Sequence, residues 1–126
     1  MIDFTNKAYL KLTPVSDKAF EEVISLMFIE GEKILGTFKS MRNGVVFTNK
    51  RIISINVQGI TGKKKDYTSL PYSKISAFSV ETAGLLDLGS ELEMWFSGLG
   101  KVKFEFTSKA DVTGLCKTIC EYVLHI

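Results

Sequence analysis

Few residues of this chain have the type and spacing that chemistry requires. The single histidine, His125, is penultimate, with no nucleophile beside it and no second imidazole to complete a metal site. A residue in that position is expected to serve structure or face solvent. Cys116 and Cys120 are four apart, without the Cys-x-x-Cys spacing and second ligand pair of a zinc site. One turn apart on a helix, they also miss disulfide geometry. Both are expected as reduced thiols in a cytoplasmic protein, with Cys116 packing in the core. Gly59-Ile-Thr-Gly62-Lys63 is too short for a phosphate-binding P-loop, and Lys64 follows where Ser or Thr is needed. Ser97-Gly-Leu-Gly-Lys101 joins two β-patterned runs, so no helix N-terminus faces it. Both segments read as turns. No catalytic residue, metal site or cofactor is expected, and the chain reads as a non-enzyme.

Two features remain as candidate contacts. Lys63, Lys64 and Lys65 form the densest basic run. Such a run guards an edge strand or lines a solvated loop. Its alternative is an anionic partner: near an anionic membrane each lysine contributes about 1 kcal/mol, so three alone give weak, peripheral, salt-sensitive attachment. Trp95 is the second feature. Leu92, Met94 and Phe96 alternate with Glu91, Glu93 and Trp95, while Val102, Phe104 and Phe106 alternate with Lys101, Lys103 and Glu105. With the apolar set facing the core, Trp95 falls on the outer face among charges. There it lies over lysine stems or makes a subunit contact.

The elements that must position these residues follow from pattern. With 126 residues, 45% apolar and 24% charged, the chain has material for one core. A net charge of +2 is far below the basic excess of a nucleic-acid binder, so no nucleic-acid partner is expected. No apolar run approaches the roughly 18 residues of a membrane span, and the first residues lack a signal-peptide pattern. After Thr13-Pro14 and Ser16, the residues Phe20, Val23, Ile24, Met27 and Phe28 predict an amphipathic helix of about three turns, Asp17–Phe28, closed by Gly31.

From residue 32 to 107 the pattern is β. Strands are expected at Lys33–Lys39, Val45–Thr48, Arg51–Val57, Tyr67–Leu70, Ile75–Val80, Glu91–Phe96 and Lys101–Phe106, broken by turn signals such as Asn43-Gly44 and Asn49-Lys50. Without intervening helices these make an antiparallel meander. The last hairpin is expected to turn at Gly98-Leu99-Gly100. That pairs Phe96 with Val102, Met94 with Phe104 and Leu92 with Phe106, and sets Trp95 opposite Lys103. Residues 108–126 predict a helix capped by Ser108 with Asp111. Its apolar stripe of Val112, Leu115, Cys116, Ile119, Val123 and Ile126 would close the open end of a bent sheet.

Taken together, Phe47-Thr-Asn-Lys-Arg51, Gln58-Gly-Ile-Thr-Gly-Lys-Lys64, Leu70-Pro-Tyr-Ser-Lys-Ile75 and Phe78-Ser-Val-Glu-Thr-Ala-Gly84 resemble the bacterial pleckstrin-homology family. Its members include small stand-alone proteins with a YokE-like domain. The resemblance runs from the first helix to the last. It implies a mainly β, PH-like fold: a bent, seven-stranded antiparallel sheet or partly open barrel, capped by the C-terminal helix. It also implies no enzymatic activity, a protein-binding role, and homo-oligomeric rings of about five subunits, with bacterial stress signalling as the setting. Eukaryotic relatives of the fold bind phosphoinositides through a longer, basic first hairpin. Here the matching turn, Ser40-Met-Arg-Asn-Gly44, is short and leaves Lys39 and Arg42 as a sparse version. Within Leu86-Asp-Leu-Gly-Ser-Glu-Leu92, family members often carry a second acidic residue where this chain has Gly89.

Two binding roles follow as expectations. The first is a homo-oligomeric scaffold using Trp95. The alternative is a peripheral anionic-lipid binder using Lys39, Arg42 and Lys63 to Lys65.

Overall fold

The computed structural model of the chain describes residues 1, 4, 9–81 and 89–124. Eight strands form one curled sheet: β1 (Tyr9–Pro14), β2 (Ile34–Ser40), β3 (Asn43–Thr48), β4 (Arg51–Gln58), β5 (Lys64–Pro71), β6 (Ile75–Glu81), β7 (Gly89–Phe96) and β8 (Gly100–Thr107). A helix, Val112–Val123, follows the last strand; with the four-residue α1 (Glu21–Ile24) named first, it is α2. The spatial order is β5-β4-β3-β2-β1-β8-β7-β6. The seven expected strands are therefore joined by an eighth.

That eighth strand, β1, lies where a helical segment was expected to precede everything else. It connects the two meanders, running antiparallel to β2 (Thr13 opposite Lys39) and parallel to β8 (Leu12 opposite Phe106). Its run is short, interrupted by Lys11 at a positive φ of 55° and closed by Pro14, so its alternation is barely visible in sequence. It exists because β2 and β8 each offer an unpaired edge, and an extended segment satisfies both. Leu12 is fully buried there.

The three-turn helix expected at Asp17–Phe28 is broken. A 3₁₀ turn at Asp17–Ala19, α1, and a second 3₁₀ turn at Ser25–Met27 replace it. Ile24 is buried, but Leu26 is 86% exposed, and so short a helix without a continuous buried face is marginal. The segment works as a strap instead. Ile24, with Phe20 and Phe28, packs on the outer face of the sheet against Val46, Ile53 and Ile55. Both faces of β3 and β4 are thus covered, which explains their near-continuous apolar runs.

A buried ion pair fastens the strap. Glu32 Oε1 and Oε2 take bonds of 3.0 Å from Arg51 Nη2 and Nε, and Thr48 Oγ1 donates to Oε2 at 2.7 Å. Arg51 also donates to the Met27 carbonyl and to Ser69 Oγ. The Glu32 side chain is wholly buried. Burial pushes its carboxyl up, but the bonds from Arg51, Thr48 and the Ile29 N–H, with the Arg51 charge, outweigh this and hold it below the usual carboxylate range.

On the inner face Phe38, Phe47, Phe104 and Phe106 meet largely edge-on, Phe38 and Phe106 at 5.0 Å. Leu12, Leu92, Met94 and Val102 complete this core. As expected, α2 closes it with Val112, Leu115, Cys116 and Ile119. The cap is Asp111 rather than Ser108: Asp111 Oδ1 accepts from the Gly114 N–H at 2.9 Å.

In the last hairpin the apolar parity is as expected but the pairing is shifted by two. Met94 faces Val102, Leu92 faces Phe104, and Trp95 faces Lys101 rather than Lys103. The turn is Ser97-Gly98-Leu99, because the Ser97 N–H is taken by the Lys74 carbonyl at 2.7 Å and Phe96 pairs directly with Gly100. Gly89 opens β7 where a Cβ would strike the Phe106 carbonyl oxygen. A side chain at this position would force the two strands apart.

Candidate anionic-surface interface

The interface begins with two hairpins whose tips meet. The β2–β3 hairpin turns at Met41-Arg42, not at Asn43-Gly44, which belong to β3. Asn43 Oδ1 accepts from the Val57 N–H at 2.8 Å, and Gly44 sits where a Cβ would collide with the Phe20 ring. The β4–β5 hairpin turns at residues 59–63, with Gly59 and Gly62 at positive φ. Pairing of β3 with β4 brings the two turns together, and Arg42 Nη1 donates to the Gly59 carbonyl at 2.6 Å.

This contact joins two basic segments that the sequence left apart, Arg42 and the lysine run. Arg42 lies against the loop that leads into Lys63, Lys64 and Lys65; Lys39 stands two residues before its own turn, and all five are exposed. Lys64 and Lys65 are strand residues, so their side chains leave opposite sides of β5. Among the described residues none of the five pairs with a carboxylate.

The reason lies in a distribution that net charge conceals. Residues 33–65 contain eight basic side chains and no acidic one, while the rest of the chain carries eight basic and fourteen acidic. The whole-chain value of +2 therefore sums a strongly cationic stretch with an anionic remainder. Apolar side chains occupy both tips as well: Met41 is 95% exposed and Ile60 103%, the highest values for large apolar residues among those described. Sequence reasoning missed both. The available signal was an apolar residue set among turn formers, in Ser40-Met-Arg-Asn43 and Gly59-Ile-Thr-Gly62.

The Trp95 face has a different character. Trp95 is half-buried on the outer side, between Ala77 and Lys101. Around it charges are matched: Lys103 reaches Glu105 at 3.3 Å and Glu91 at 3.5 Å, and Lys101 reaches Glu93 at 3.9 Å. The bond that Lys103 donates to Glu105, assisted by Glu91, raises its ammonium above the ordinary pKa. A neutralised surface of this kind offers little to a charged ligand.

Catalytic groups are not brought together among the described residues. Cys116 is buried, its thiol pushed up to about 11 by burial and by Cys120, which leaves it unreactive at neutral pH. A groove of about 480 Å³ lies against Asn49, Lys50, Tyr72 and Tyr122. The Tyr72 hydroxyl there is spent on the Thr48 carbonyl at 2.7 Å and is held above its ordinary pKa by burial. No group of three metal-ligating side chains occurs among the described residues; His125 lies outside them. No described helix is long and apolar enough to cross a membrane.

Comparison with known proteins places this geometry. The sequence is 51% identical over 84 residues to the uncharacterized protein YjqA of Bacillus subtilis (strain 168), covering 67% of each chain. It is 34% identical over 73 residues to the uncharacterized protein YozO of the same organism, covering 58% of this chain and 63% of that one. A pleckstrin-homology domain protein from Shewanella loihica PV-4 superposes with a TM-score of 0.78 at 36% identity, over 90% of this chain and 98% of that one. A pleckstrin homology domain from Shewanella amazonensis SB2B gives 0.65 at 38% identity, over 88% and 90%. Residues 3–123 match the family described as Bacterial PH domain, and with the curled eight-stranded sheet and its capping helix, the chain belongs to that family.

Proposed function

We propose that this protein is a non-catalytic binding module that attaches to an anionic, phosphate-bearing surface through its two joined hairpin tips. One observation supports the reading: the Arg42–Gly59 bond joins two hairpin tips that carry Lys39, Arg42 and Lys63 to Lys65, none of them paired with a carboxylate among the described residues. At about 1 kcal/mol per basic residue near anionic lipid, Arg42 and Lys39 add to what the lysine run supplies, and the attachment is still readily screened. The short Met41-Arg42 turn builds no enclosing cradle, so attachment depends on charge density rather than on one headgroup's stereochemistry. Sedimentation with anionic vesicles at low and high salt tests this. Binding that falls steeply with salt, and that Lys63→Gln/Lys64→Gln/Lys65→Gln weakens, supports it; binding indifferent to both refutes it.

Self-assembly is a second reading, favoured by the sheet's unequal edges. Edge strand β5 carries Lys64, Lys65 and Asp66, which discourage pairing, whereas edge strand β6 carries no charge between Ile75 and Val80. Beside β6 runs a groove of about 230 Å³ lined by Phe78, Val123 and Leu124, among others. If β6 meets a different face of the neighbouring copy, the contact is head-to-tail and can close into the ring of about five subunits that the family resemblance implies, with Trp95 near the contact. The stress-signalling setting suggested by the family resemblance belongs to such an assembly.

A further inference from the structure

We propose that the anionic surface is a lipid bilayer and that Met41 and Ile60 enter it as a two-pronged apolar anchor; this rests on the electrostatic reading above and adds the kind of partner. The two side chains are the immediate neighbours of Arg42 and Gly59, whose 2.6 Å bond locks the tips together. Both stand almost entirely in water, at 95% and 103% exposure, so neither contributes to the folded core. Met41 occupies a left-handed position at φ 54°, which a bulky residue adopts at a cost and which Asn or Gly fills more readily. Stability gives no reason for methionine there.

The cations around these tips select among partners. A soluble polyanion would satisfy Arg42 and Lys63 to Lys65 and leave Met41 and Ile60 in water. A bilayer satisfies both sets, because its interface places acyl chains a few ångströms below a plane of phosphates. Lysine stems reach back to that plane while apolar tips descend beneath it. The charge complement is that of anionic lipid, since the tips carry five basic residues and no acidic one.

The test compares two probes: vesicles of equal parts phosphatidylglycerol and phosphatidylcholine, and heparin as a soluble polyanion. The variant Met41→Ser/Ile60→Ser changes two exposed side chains, and its melting curve should match the wild type. Burying one such side chain is worth about tenfold in partitioning. The expected result is a loss of tenfold or more in vesicle partitioning with heparin binding within twofold of wild type. A smaller loss on vesicles, an equal loss on heparin, or no wild-type binding to vesicles overturns the anchor. Retained heparin binding with wild-type strength in the triple Lys63→Gln/Lys64→Gln/Lys65→Gln variant marks instead the failure of the electrostatic reading.

Discussion

At the scale of single residues, Glu32 and Arg51 matter most to the fold and Arg42 most to the site. The Glu32 side chain is fully buried and bonded from three sides, so removing its partner strands a charge. Arg51→Met should cost roughly 3–5 kcal/mol, measured by urea unfolding at neutral pH. The same pair makes stability depend on acid. Because the folded-state pKa of Glu32 lies below its ordinary value, its contribution is present above the unfolded-state pKa and is lost as pH falls from about 4.3 through the folded value. Melting temperature followed from pH 6 downward should therefore drop less steeply in Glu32→Gln than in the wild type. None of this was legible in the sequence, where Glu32 and Arg51 are nineteen residues apart and look like surface charges. Arg42 was visible as a basic residue, but its junction with Gly59 depends on the β3–β4 register. That register is set by packing on two faces.

At the scale of elements, periodicity was informative wherever one element had one partner. The stripe on α2 named Leu115 and Ile119 correctly because the helix has a single face against the sheet. Leu115→Ala and Ile119→Ala should each cost about 2–5 kcal/mol, while exposed Lys117→Ala should leave the melting temperature nearly unchanged; equal shifts for all three would contradict the packing. Strands β7 and β8 were likewise legible in their inward sets, since parity follows from alternation alone. Register was not, because the choice between turning at Ser97-Gly98-Leu99 and one residue later depends on the bond from Ser97 to Lys74, a contact across strands. The N-terminal region failed for a similar reason. Phe20, Ile24 and Phe28 have helical spacing, yet they anchor a strap to the outer face of the sheet, and β1 forms to fill a gap that the completed sheet creates.

At the scale of the molecule, charge is segregated, and the open sheet leaves one guarded and one unguarded edge. A net value near zero concealed the first feature; the expectation of a simple antiparallel meander concealed the second. Association through β6 predicts a discrete closed oligomer, so light scattering at micromolar concentration should report a mass several times that of one chain, whereas a single species of one-chain mass contradicts it. The attachment surface is the central claim, and it can be mapped directly. Amide spectra of isotopically labelled protein, titrated with phosphatidylglycerol-containing nanodiscs, should show perturbations concentrated in residues 39–44 and 58–65. Perturbations centred instead on Ser76–Val80 and Trp95, or the absence of any, would contradict the account.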